Sequence, residues 1–158
     1  MPSYPKIRFF LFILLLVISL NSCNKEKNDV IPDVYVYFTL ELSDPEFVNL
    51  NSTFGSALIN SKTNNYGSSA AGFDGNGIII FGGVDQFYSY DRTCPHDYAL
   101  TGLSVKVNIV DLIYAECPNC HTKYALTAGG TPSSGAGRYP LKNYRVINNG
   151  TSITVTNY

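Results

Sequence analysis

Both histidines and three of the four cysteines of this chain fall in two short stretches, Cys94-Pro95-His96 and Cys117-Pro118-Asn119-Cys120-His121. This placement constrains the fold more than any other feature. Two donors at i and i+2 suit an extended loop, and two at i and i+3 suit a tight turn. The two stretches can therefore grip one metal centre from opposite sides. A proline after the first cysteine of each stretch restricts the backbone, which lowers the entropy lost when the donors are gathered.

The residues around these loops read as strands. Val34 to Leu42 alternates apolar and polar side chains, the pattern of a half-buried strand. Ser56–Asn60 is a weaker candidate, and Ser61–Asn76 is a Ser/Asn/Gly-rich loop. Gly77–Phe81 and Gln86–Asp91 are predicted to pair across Gly82-Gly83-Val84-Asp85. Val105–Val110, Leu112–Ala115 and Tyr124–Leu126 follow, and Arg145–Ile147 pairs with Ser152–Thr156 across Asn148-Asn149-Gly150. With 13 Gly and 8 Pro in 158 residues, no helix is expected. The expected fold is all-β, an antiparallel sandwich or small barrel over residues 34–158. A net charge of −1 with no Lys/Arg block gives nucleic-acid binding no electrostatic support. No Ser/His/Asp set, phosphate-binding loop or carboxylate pair suggests an enzyme, so a catalytic role is not expected.

The N-terminus reads as an export signal. Lys6 and Arg8 precede an apolar run from Phe9 to Leu20, too short to span a bilayer as a helix. Leu20-Asn21-Ser22-Cys23 then resembles a bacterial lipobox, which implies cleavage after residue 22 and lipidation of Cys23. Residues 23–33 would tether the domain to a membrane, on the periplasmic or the cell-surface side. In such an oxidising setting a Cys117–Cys120 disulfide is an alternative, although three cysteines leave one thiol over.

Cys94-x-His96 followed by Cys117-x-x-Cys120 resembles the paired cluster-binding loops of Rieske [2Fe–2S] proteins. The second family loop commonly runs Cys-Pro-x-His-Gly-Ser-x-Tyr/Phe, and Cys117, Pro118 and Tyr124 fall in that register without a gap. Gly129-Gly130 to Gly135-Ala136-Gly137, with Pro140-Leu141 and Tyr144, is similar to the family's loop over the cluster. The resemblance covers roughly residues 78–158. It implies a small cluster-binding subdomain on a β domain, electron transfer with a redox partner protein, and no substrate chemistry.

Carried over position by position, Cys94 and Cys117 would hold one iron, and His96 and Cys120 the other. Thr122 and Tyr124 match the positions whose hydroxyls hydrogen-bond the cluster's sulfur atoms. Cys120 replaces the second His ligand, which implies a lower potential than a two-His centre. His121 stands where the family has Gly; as a ligand it is the alternative to Cys120, at the cost of the register at Thr122 and Tyr124. Quinol oxidation by the second His has no counterpart, and Ala99 stands where respiratory members carry a further Cys. Two other outcomes stay open on the same fold: a structural Zn²⁺ site, for which Cys3His is a common set, or a binding or structural lipoprotein without metal.

Overall fold

The alternation of Val34–Leu42 is realised in the computed structural model, which describes residues 29–158. Val36, Phe38, Leu40 and Leu42 are buried, and Tyr35 and Tyr37 face solvent. Only Tyr37–Glu41 forms a ladder, as β1, paired antiparallel with β10 (Ser152–Thr156). The proposed signal and Cys23 lie outside the described residues. Among those described, no helix is long and apolar enough to cross a membrane.

Six strands make the main sheet, in the order β1-β10-β9-β4-β3-β2, where β2 is Ser56–Ile59, β3 Ile78–Gly82, β4 Phe87–Asp91 and β9 Asn143–Asn148. The expected hairpins are present. β3 and β4 turn through Gly83–Gln86, and Gly150 (φ 89°) turns β9 into β10 with its N–H on the Asn148 side-chain oxygen. Residues 61–76 form a loop of short 3-10 turns.

A second sheet of four short strands is inserted between β4 and β9: β5 (Asn108–Val110), β6 (Tyr114–Glu116), β7 (Lys123–Ala125) and β8 (Thr131–Ser134). β5 and β6 are shorter than the sequence patterns of Val105–Val110 and Leu112–Ala115. β5 starts late because residues 105–107 pair with Arg92, Thr93 and Cys94 instead, and β6 starts late because Asp111 and Leu112, both at positive φ, make the turn where the sequence shows no glycine.

β3 is buried on both faces. Ile78 and Ile80 enter one core with Val36, Phe38, Leu40 and Val155. Ile79 and Phe81 enter a second core with Tyr90, Val107, Tyr124 and Leu126, which also holds Cys94 and Cys117. The period-2 geometry of a strand thus joins the two sheets through one run of apolar residues.

The largest departure from the sequence reading is a helix, α1 (Pro95–Thr101). Its signals are local: Pro95 in the first turn, Asp97 behind it, and Gly102 at φ 71° ending it with its N–H on the Tyr98 carbonyl.

Two buried polar groups tie segments far apart in the chain to the main sheet. Asp91 accepts from the backbone N–H groups of Phe73 (2.6 Å) and Thr93 (2.8 Å) and from the Tyr144 hydroxyl (2.7 Å). Lys142 donates to the Ile31 carbonyl and to Asp33, each at 2.7 Å. Residues 31–33, the end of the tether on the sequence reading, are thereby held against the domain, and Ile31 is buried.

Burial raises the pKa of Tyr90 and of Tyr144, with Tyr88 and Asp91 respectively adding to it. The folded chain therefore keeps phenolic protons that the unfolded chain loses above about pH 10. Stability should hold below that pH and fall as pH rises through it. Urea unfolding from pH 8 to 11 should show the fall, with a shallower slope in Tyr90→Phe. A flat profile would contradict this account of the two phenols.

Candidate metal centre

Cys94 and Asp97 sit together because α1 starts between them. Helical residues three apart share a face, whereas the residue two along is turned by roughly 200°. Asp97 is accordingly buried beside Cys94. His96, expected as a ligand on an extended loop, is half-buried and outside the group of donors. The physical cause of this placement is the helix, where the i, i+2 reading expected an extended loop.

The opposing loop is a tight turn. The His121 N–H donates to the Cys117 carbonyl and the Cys117 N–H to the Thr122 carbonyl, both at 3.0 Å. His121 has φ 54°, the conformation that the glycine of such a turn supplies. The turn aims Cys117 and Cys120 inward. His121 points away: its side chain is 75% exposed and its Nδ1 lies 3.5 Å from Glu116. Of the two alternatives at this loop, Cys120 joins the group and His121 does not.

The potential ligand atoms of Cys94, Asp97, Cys117 and Cys120 all lie within 4.8 Å of one another. The sulfurs of Cys94 and Cys120 are 3.6 Å apart. The Cys117 thiol donates to Asp97 Oδ2 at 2.8 Å, and the Asn119 amide donates to Oδ1 at 3.1 Å. All three cysteines are free, so the disulfide alternative is not formed. Asp97 and Asn119 were not singled out from the sequence. The spacing of Asp97 from Cys94 was the available signal, but it has meaning only on a helix.

The hydroxyls expected around the site are in place. Tyr124 hydrogen-bonds Cys94 Sγ at 3.3 Å, and the Cys120 thiol donates to Thr122 Oγ1 at 3.3 Å. Gly135-Ala136-Gly137 lies directly on Thr122. The Gly137 N–H donates to Thr122 Oγ1 at 2.9 Å, and a Cβ on Gly137 would come within 2.4 Å of Thr122 Cγ2. The glycine-rich segment thus covers the second loop, as the family resemblance implied.

The thiols do not share one acidity. Hydrogen bonding to Cys117 brings the Cys94 pKa down to about 6 against the opposing effect of burial. The same bond, with burial and Asp97 adding to it, pushes Cys117 up, and burial raises Cys120. Burial alone would raise the Asp97 carboxyl, but the Cys117 thiol and Asn119 amide outweigh it and hold the pKa below its ordinary value. Burial, followed by Cys94, raises the Tyr124 phenol. The group therefore gathers negative charge at neutral pH, and no Lys or Arg pairs with Asp97 among the described residues.

Three sulfurs and a carboxylate suit iron or zinc. A tetrahedral site with metal–sulfur bonds of ~2.3 Å has ligand atoms ~3.8 Å apart, close to the spacing found here. In a two-iron cluster, ligands on different irons are also separated by the metal–metal distance. The four grouped donors have the spacing of one metal's shell, and His96, which the two-and-two arrangement uses, lies outside the group.

No protein-family model and no curated protein matches the chain. Among solved structures, it is similar to a chain in the complex of reduced oxygenase and oxidized ferredoxin in carbazole 1,9a-dioxygenase. The identity is 18% and the TM-score 0.50, over 78% of this chain and 95% of that one. It is also similar to the ferredoxin of carbazole 1,9a-dioxygenase from Nocardioides aromaticivorans IC177, at 19% identity and TM-score 0.40, over 54% of this chain and 80% of that one. Likeness at this identity is likeness of fold. The described residues have a Rieske-like, mostly β fold, in which α1 and the β6–β7 turn of the small second sheet bring together a Cys/Asp group able to hold a metal.

Proposed function

We propose that this chain is an exported, lipid-tethered electron carrier whose redox centre is iron held by cysteine sulfur. The observation that carries the proposal is the group of buried Cys94 and Cys117 with half-buried Cys120 on two facing loops, two of its sulfurs hydrogen-bonded to Tyr124 and Thr122. Bound iron would supply a one-electron couple. The chain's own part is to hold the donors, keep water away, and place hydroxyl groups beside the sulfurs, where they offset charge on reduction. A redox partner protein would deliver and take the electron. One structurally similar chain comes from an assembly of an oxygenase with a ferredoxin, which supports a protein partner of this kind. Cys23 would carry the lipid, with residues 24–30 as the span to Ile31, where the packed domain begins.

A second reading has specific support. The donors have the span of one metal's shell, which also suits a structural Zn²⁺ with no redox role. One preparation separates the two. Full-length protein extracted from membranes without oxygen should contain iron, absorb visible light, bleach on reduction, and yield a diacylglyceryl-modified Cys23 peptide by mass. Inorganic sulfide in the sample would mark a cluster and not a lone iron. Colourless protein with one zinc per chain would end the electron-transfer proposal, and an unmodified N-terminal signal would end the lipoprotein proposal.

A further inference from the structure

We infer that Cys94, Asp97, Cys117 and Cys120 form a mononuclear site for one tetrahedral metal ion, with Asp97 and not His96 as the fourth ligand. This rests on the reading of the group as a metal centre and states which atoms hold the metal and how many metals they hold.

Three independent features of the chain carry it. The first is the helix. With Cys94 immediately before α1 and Asp97 in its first turn, the two side chains leave the same face toward Cys117 and Cys120. His96 can reach that face only if the first turn unwinds. The backbone hydrogen bond from Tyr98 N–H to the Cys94 carbonyl would then be lost.

The second feature is the carboxylate itself. Asp97 is 5% exposed, and its partners are the Cys117 thiol and the Asn119 amide. When Cys117 gives up its thiol proton to bind a metal, its hydrogen bond to Asp97 is lost and two anions face each other. A metal ion between Asp97 and the three sulfurs takes the place of that proton. The two carboxylate oxygens are already divided for such a role. Oδ2 points at Cys117 Sγ, inside the group, and Oδ1 is held from outside by Asn119. Asn119 thereby orients Asp97 for a single metal–oxygen bond.

The third feature is size. All four donor atoms lie within 4.8 Å of one another, and the Cys94 and Cys120 sulfurs are 3.6 Å apart. That places Cys94 and Cys120 on the same metal, whereas the two-iron pattern puts them on different ones.

Binding balances simply. Three metal–sulfur bonds and one metal–oxygen bond form, any proton still on the three thiols leaves to solvent, and no electron moves. A divalent ion in this shell leaves a site charge of −2, from three thiolates and one carboxylate. The hydroxyls of Tyr124 and Thr122 are placed to donate to that charge.

The test is Co²⁺ titration of the reduced, chelator-treated full chain in detergent, read by its tetrahedral ligand-field bands and its thiolate charge-transfer band. One Co²⁺ per chain is expected. Asp97→Ala should weaken binding by about 100-fold or more and Asn119→Ala by about 10-fold, while His96→Ala and His121→Ala leave it unchanged. Asp97→Cys keeps the test decisive if Asp97→Ala fails to fold: it should retain tight binding and strengthen the charge-transfer band by about one third, as a fourth thiolate joins three. Loss of the tetrahedral spectrum in His96→Ala, no gain in Asp97→Cys, or two metals per chain would each overturn the inference. Zinc in place of iron in protein taken from cells would end the electron-carrier proposal and leave this ligand set standing.

Discussion

Asp91→Ala should cost the domain about 3–6 kcal/mol, the largest single-residue effect expected outside the metal site. Three donors converge on this carboxylate: the N–H groups of Phe73 and Thr93 and the hydroxyl of Tyr144. Each buried donor left without a partner costs about 1–3 kcal/mol. Natural domains have only about 5–15 kcal/mol in hand, so the loss is a large fraction of the total stability. A double-mutant cycle identifies the cause. Tyr144→Phe in the Asp91→Ala background removes one orphaned hydroxyl, so it should cost much less there than in the parent chain. Denaturant unfolding of the four proteins measures this. Equal costs of Tyr144→Phe in both backgrounds would show that the hydroxyl and the carboxylate are not coupled.

The second large effect is expected from the metal. A ligand that binds only the folded chain stabilises it by about 4 kcal/mol when present at 1,000 times its dissociation constant. For a domain of this size that raises the melting temperature by roughly 10–20 °C. Reduced, chelator-treated protein should therefore gain that much on addition of excess Zn²⁺ or Fe²⁺. The gain should shrink as pH falls, because protons compete with the metal for the sulfurs of Cys94, Cys117 and Cys120. It should also shrink in Asp97→Ala. A melting temperature indifferent to both metals would leave the four donors without a metal-binding role.

Much of the fold was legible in the sequence because strand pairing leaves a short-range record. The alternation in Val34–Leu42, the Gly-containing turns at 82–85 and 148–150, and the glycine-rich cover over Thr122 all take the expected places. The β5–β6 turn did not announce itself, because Asp111 and Leu112 adopt positive φ without a glycine.

The group of donors was half legible for a related reason. Cys117 and Cys120 lie in one turn, whose geometry follows from its own six residues. The partners of Cys94 depend on whether the chain after it extends or coils. Extended, position i+2 faces the opposite loop, and that is His96. Coiled, position i+3 does, and that is Asp97. The seven residues Pro95–Thr101 decide between the two, and their signal is weaker than the resemblance that favours His96. Tyr124 and Thr122 were found because they belong to the strand and turn that hold Cys117 and Cys120, not to the helix.

X-ray absorption at the edge of the bound metal tests the central claim most directly. Three sulfur neighbours at ~2.3 Å, one oxygen at ~2.0–2.2 Å and no neighbouring metal are the expected result. A second metal in the spectrum, or the outer-shell scattering of an imidazole ring, would contradict the site of Cys94, Asp97, Cys117 and Cys120 and return His96 to it.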